Sequence, residues 1–70
     1  MATQTQGITK AQLIKDSNGM YFGEIRLNGK LLEKTGGRDG FWLKENAIEY
    51  TNKRVDFWRA KKQLDIPYVQ

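Results

Sequence analysis

The sequence has no cysteine and no histidine, and its one proline is Pro67. Without cysteine, no disulfide can brace the chain and no thiolate can hold a metal. Without histidine, it lacks the commonest general base and the commonest nitrogen ligand. Nor does any Ser, Asp or Lys arrangement make a convincing nucleophile. No apolar run approaches the ~20 residues of a membrane span. Met1 to Gly7 lacks the apolar stretch of a signal peptide, so the cytoplasm is the expected location. At 70 residues the chain makes one domain at most, with a core that supplies only a few kcal/mol. No enzyme activity, cofactor, metal or small-molecule substrate is expected.

Acidic residues are in the minority, with 12 Lys and Arg against 8 Asp and Glu and a net charge of +4. That balance favours acidic partners such as nucleic acid. The charge is uneven. Lys53, Arg54, Arg59, Lys61 and Lys62 lie close together with only Asp56 among them.

Residues 1–7 hold little to bury and read as a disordered tail. Residues 8–66 read as a single domain, and 67–70 as a C-terminal tail that could fold back or stay loose. Ile8 to Lys15 could be a short strand or a helical turn capped by Thr9. Asp16-Ser17-Asn18-Gly19 is a turn. Met20 to Leu27 alternates as a strand does. Asn28-Gly29 is a strong hairpin signal, and Lys30 to Thr35 is the returning strand.

A two-residue turn would pair Leu27 with Lys30, Arg26 with Leu31, Ile25 with Leu32 and Glu24 with Glu33. Tyr21, Ile25, Leu27 and Leu32 then share the core face, and Gly23 leaves room there for Trp58. Phe22, Glu24, Arg26, Leu31 and Glu33 fall on the outer face. Two facing glutamates cost stability unless a cation sits nearby. They could hold a hard cation only loosely, because further oxygen ligands are missing. Gly36-Gly37-Arg38-Asp39-Gly40 is a glycine-rich loop without the Gly-Lys-Ser/Thr ending of a nucleotide loop. Phe41-Trp42-Leu43 reads as a further short strand.

Asn46 to Leu64 reads as a helix. Asn46 could cap it with Glu49 three positions on, Glu45 and Glu49 suit its positive end, and Lys61 and Lys62 suit its negative end. Ala47, Ile48, Thr51, Val55, Trp58 and the stem of Lys62 form one stripe. Tyr50, Phe57 and Leu64 form a second, nearly opposite, bordered by Lys53, Arg54 and Lys61. One stripe serves the core. The second needs a cover, which could be a chain terminus, a second copy, another protein or nucleic acid. The fold class is α+β: a three- or four-stranded antiparallel sheet packed against one C-terminal helix.

Gly19-Met20-Tyr21-Phe22-Gly23-Glu24-Ile25-Arg26-Leu27-Asn28-Gly29-Lys30 resembles the opening of the AP2-like and integrase arm-binding domains. These have an aromatic strand, an Asn-Gly-Lys type hairpin, a third strand and a helix with an early Ala. Phe41, Glu45 and Ala47 sit at roughly matching places, and the resemblance spans about residues 18–60. It implies a sheet that enters the DNA major groove, with Arg-rich strands touching bases and backbone. The chain departs from that pattern where Glu24 and Glu33 fall at the centre of the outer face. The YegP-like small domains are similar too, in the Asp-x-x-Gly-x-Tyr opening, the Asn-Gly turn and the following helix; they imply little about mechanism.

The expected function is therefore that of a small basic nucleic-acid-binding protein, DNA being the favoured target, in a regulatory or accessory role. Lys53, Arg54, Lys61, Lys62 and Arg26 are its candidate contacts. Because outer-face glutamates would repel phosphates, the helix is the expected contact surface rather than the sheet. The alternative is a protein-interaction module, a small inhibitor or adaptor that could form a homodimer. Tyr50, Phe57, Leu64 and Phe22 are its candidate partner-binding residues.

Overall fold

The computed structural model describes residues 9–70. The tail expected over residues 1–7 lies outside the described residues, as does Ile8. Three strands, β1 (Thr9–Lys15), β2 (Tyr21–Leu27) and β3 (Lys30–Thr35), are followed by one helix, α1 (Lys44–Lys62). The strands form one antiparallel sheet in the order β1-β2-β3. The expected α+β class is what the chain adopts. Of the two readings of this first segment, the strand is the one observed, over Thr9–Lys15. Phe41 makes only an isolated bridge to Tyr21, so 41–43 is not a strand.

Local chemistry explains both hairpins. The Asp16 carboxylate accepts from the backbone N–H of Asn18 and of Met20, both at 2.9 Å, which folds the first turn. Asn28 and Gly29 take φ of 55° and 82°. Two left-handed residues in succession make the mirror-image turn that matches strand twist.

The register corrects one expectation. Leu27 pairs with Lys30 and Arg26 with Leu31, but Ile25 pairs with Glu33, Glu24 with Lys34 and Gly23 with Thr35. The ladder slips by one residue between Ile25 and Arg26, leaving Leu32 as the extra residue of a β-bulge. A one-residue slip reverses the face of every later side chain. Glu33 and Thr35 therefore turn toward the helix, while Lys34 turns outward. The expected Glu24–Glu33 pair does not exist.

What the slip achieves is visible beneath the helix. The Thr35 hydroxyl accepts from the Gly23 N–H at 3.0 Å and lies 2.7 Å from the Thr51 hydroxyl. Both threonines are buried. A side chain on Gly23 would put its Cβ 2.1 Å from Thr51 Oγ1 and 2.4 Å from Thr35 Oγ1. Gly23 thus makes room for Thr51, not for Trp58 as expected. Trp58 instead lies over β3, where its indole N–H donates to Glu33 at 2.8 Å.

The helix begins at Lys44, two residues before the expected Asn46 cap. Leu43 occupies the cap position without a side-chain bond. Its inward side is Ala47, Thr51 and Val55. Gln63 ends it in the left-handed conformation, at φ 53° and ψ 42°. The chain then returns along the helix. Ile66 joins Ile25 and Val55 in the buried core, with Ala11, Leu32, Trp58 and Leu64 packed around them. Asn52 clamps the main chain of Val69 from both sides, accepting its N–H at 2.7 Å and donating to its carbonyl at 3.1 Å. Residues 67–70 are therefore docked rather than loose.

Gly23→Ala should cost roughly 1–3 kcal/mol, because the added methyl forces strand and helix apart. Combining it with Thr51→Ala should recover part of that loss, since the two sites share one contact. Urea unfolding of the single and double variants measures both effects.

Candidate functional site

Two surfaces carry the residues of interest, on opposite sides of the sheet. The first is the face of the sheet turned away from the helix. Strand alternation places Lys10, Gln12 and Ile14 of β1, Phe22, Glu24 and Arg26 of β2, and Leu31 and Lys34 of β3 on it. Lys10 pairs with Arg26, Gln12 with Glu24 and Glu24 with Lys34. Three cations on this face therefore surround a single carboxylate.

That carboxylate positions its neighbours. Glu24 Oε1 accepts from Arg26 Nε and from Gln12 Nε2, both at 3.1 Å, and Oε2 accepts from Arg26 Nη2 at 3.4 Å. Arg26 Nη1 donates to the Gly29 carbonyl at 2.6 Å. The guanidinium is thus held flat between Glu24 and the hairpin turn. Its hydrogen bonds hold the Glu24 carboxyl below the ordinary value of 4.5, against the opposing effect of burial; Gln12 and the charges of Arg26 and Lys34 add to the lowering.

Phe22 was expected to be exposed here and is only 6% exposed. The glycine-rich loop covers it. A Cβ at Gly36 or Gly40 would meet the Phe22 ring at 2.8 Å, and Lys34 Nζ lies 4.6 Å from the ring centroid. Gly40 N–H closes the loop by donating to the Gly36 carbonyl at 2.8 Å. Here bare backbone packs directly on an aromatic ring, which only glycine allows. Arg38 and Asp39 are exposed between these glycines.

The second surface is the outward side of α1. Tyr50 and Phe57 are exposed as expected. Lys53, Lys61 and Lys62 are exposed too. Arg54 stacks on Phe57, 4.3 Å from the ring centroid, and Lys61 Nζ reaches the same ring at 5.5 Å. The Nε–H of Arg54 is also shared by both Glu33 oxygens, at 3.0 and 2.9 Å. Arg54 is therefore ion-paired inside the molecule. Leu64 departs from expectation. The helix has ended at Lys62, and the left-handed Gln63 turns Leu64 into the core.

The structure thus divides the expected nucleic-acid contacts. Arg26 lies on the sheet, and Lys53, Arg54, Lys61 and Lys62 lie on the helix. Phe22 and Leu64 leave the expected partner-binding set. Sequence reasoning missed Lys10, Lys34 and Leu43. The strand reading of residues 8–15 already implied the parity of Lys10. Lys34 needed the bulge, which hairpin rules do not forecast. Leu43 lies seven residues before Tyr50 and was masked by the strand reading of 41–43. Glu24 and Glu33, the one carboxylate pair of interest, end on opposite faces. Among the described residues no group of three or more Asp or Glu side chains comes together as a metal site, and no helix is long and apolar enough to cross a membrane.

Comparison of the chain with protein-family models, curated proteins and solved structures finds no match.

Glu24 should shape the acid limb of stability. A lowered folded pKa means that its contribution is present above the unfolded value and is lost as pH falls through the folded one. The urea midpoint should therefore fall below about pH 5. Glu24→Gln should flatten that part of the profile, while a profile equal to that of the parent would remove Glu24 as its source.

Proposed function

We propose that this protein is a small nucleic-acid-binding module, with duplex DNA as the favoured target, and that it binds through the outer face of the sheet. The observation that carries the reading is the slip at Leu32. It removes Glu33 from the outer face and brings Lys34 there instead. The objection to a sheet-borne contact rested on two outward glutamates, and only Glu24 remains. That one is paired with Arg26.

The physical fit is direct. Phosphate contacts supply most of the affinity for a duplex, and they need spaced cations on a surface that follows the backbone. Lys10, Arg26 and Lys34 come from three adjacent strands, which lie ~4.8 Å apart. A major groove about 12 Å wide admits a narrow β-ribbon. Arg26 is fixed in place before binding, so little rotamer entropy is lost at contact. Ile14 and Leu31, exposed on the same face, offer apolar contact to a thymine methyl. The resemblance to the AP2-like and integrase arm-binding domains points to the same face.

Affinity for a duplex oligonucleotide should fall linearly with the logarithm of salt concentration. Lys10→Ala and Lys34→Ala should each reduce the slope by about 1. Lys53→Ala, Lys61→Ala and Lys62→Ala should leave it nearly unchanged. Loss confined to the helix variants would move the contact to α1. Binding without salt dependence would exclude the proposal.

A further inference from the structure

Phe22 is the one aromatic that the three strands place on the outer face of the sheet, and it is covered. Its place on that face is central. It sits on the middle strand opposite Ile14, with Glu24 and Arg26 following on the same side. Lys34 Nζ lies 4.6 Å from its ring centroid. An open ring among Lys10, Arg26 and Lys34 would suit unpaired bases, since cations take the phosphates while a base stacks on the aromatic. Main chain stands in the way. A Cβ on Gly36 or on Gly40 would meet the ring at 2.8 Å. Both glycines also hold positive φ, 112° and 87°, which side-chain-bearing residues rarely adopt.

The cover is held at both ends, independently of the ring. Just before it, buried Thr35 accepts the Gly23 N–H at 3.0 Å. Just after it, Phe41 and Tyr21 exchange both of their main-chain hydrogen bonds, at 2.7 and 2.8 Å. Across it, the Gly40 N–H donates to the Gly36 carbonyl at 2.8 Å. An unpaired base could reach Phe22 only by parting these contacts. A duplex has no such need. Its bases are stacked on one another, and it offers phosphates and base edges instead. Lys10 and Lys34 remain exposed to meet those phosphates with the loop in place.

We propose that the Gly36–Gly40 loop makes the outer sheet face selective for duplex over single-stranded nucleic acid, by withholding the Phe22 ring from unpaired bases. This selectivity rests on the sheet-borne contact proposed above and assigns its control to one stretch of main chain.

Three labelled probes of equal length test this by fluorescence anisotropy with the full chain: a DNA duplex, oligo(dT), and an abasic single strand. The two single strands carry the same backbone charge, so any difference between them reports stacking. The parent should bind the duplex most tightly and the two single strands equally weakly. Phe22→Leu keeps an apolar filler under the loop and should change none of the three affinities. In Gly36→Ala/Gly40→Ala the added methyls meet the ring and should lift the cover. Affinity for oligo(dT) should then rise about tenfold, with the abasic strand unchanged. Adding Phe22→Leu to that variant should remove the gain. A gain that survives Phe22→Leu, or no gain once NMR shows the ring parted from the two glycines, overturns the proposal. So does a parent that prefers oligo(dT) to the abasic strand, whether Phe22→Leu or Trp42→Ala abolishes the preference; this comparison holds even if the double-alanine variant fails to fold. Absence of duplex binding, or a duplex salt slope untouched by Lys10→Ala and Lys34→Ala, removes the sheet-borne contact itself. Duplex binding that passes those tests, together with stacking by the parent, removes only the selectivity.

Discussion

The Glu33 carboxylate reaches the helix because β3 holds one residue more than its partner strand can pair. On a regular ladder Glu33 would face outward, Arg54 would lose its anchor and Trp58 its acceptor. The same insertion sets the parity of Thr35, whose hydroxyl satisfies the Gly23 N–H in the middle of the sheet. It also sets the parity of Lys34, which faces outward. Helix attachment, the dry polar contact under the helix and the charge of the outer face all follow from one bulge. A bulge is usually a local kink; here its effect is to exchange which residues belong to which surface.

A small core explains why the bulge matters so much. The fully buried apolar side chains are few, with Ile25, Val55 and Ile66 at the centre. Apolar burial of that extent does little beyond offsetting chain entropy. The remaining specificity comes from polar contacts of defined geometry. Thr35 with Thr51, Arg54 and Trp58 with Glu33, and Asn52 with Val69 each tie α1 to a different part of the chain. Among the described residues no buried side-chain polar atom is left without a partner. The C-terminal return belongs to this scheme. Ile66 completes the core from outside the helix, and Tyr68 donates to Asp56 while Arg59 lies 5.0 Å from its ring centroid.

Much of this was legible in the residues. Alternation gave β2, Asn28-Gly29 gave the hairpin, and apolar spacing gave the helix and its inward side. Those signals are local, and local chemistry determines them. What could not be read depended on contacts far along the chain. The slip at Leu32 goes with the contacts of Thr35 and Glu33 to Thr51, Arg54 and Trp58, which lie 16 to 25 residues further along the chain. Phe22 is an aromatic at an outward strand position and reads as exposed. Its cover is the backbone of Gly36 and Gly40, and a loop of glycines announces freedom rather than packing. Leu64 continues a seven-residue stripe on paper, but Gln63 in the left-handed region turns the chain before it arrives. Each miss is a case of tertiary contact overriding a sound local rule.

The sheet face and the helix face differ in how much they rely on the fold's weaker parts. The sheet face holds its central arginine through Glu24 and the hairpin carbonyl, contacts made within one strand and its turn. It should keep its geometry even if the helix shifts. The helix face is different. Phe57 is steadied by Arg54 and Trp58, and those by Glu33 across the helix–sheet boundary. Phe57 is thus tied, through Arg54 and Trp58, to the same boundary that Gly23, Thr35 and Thr51 hold closed. Binding at the sheet face stabilises the strands without acting on that boundary directly.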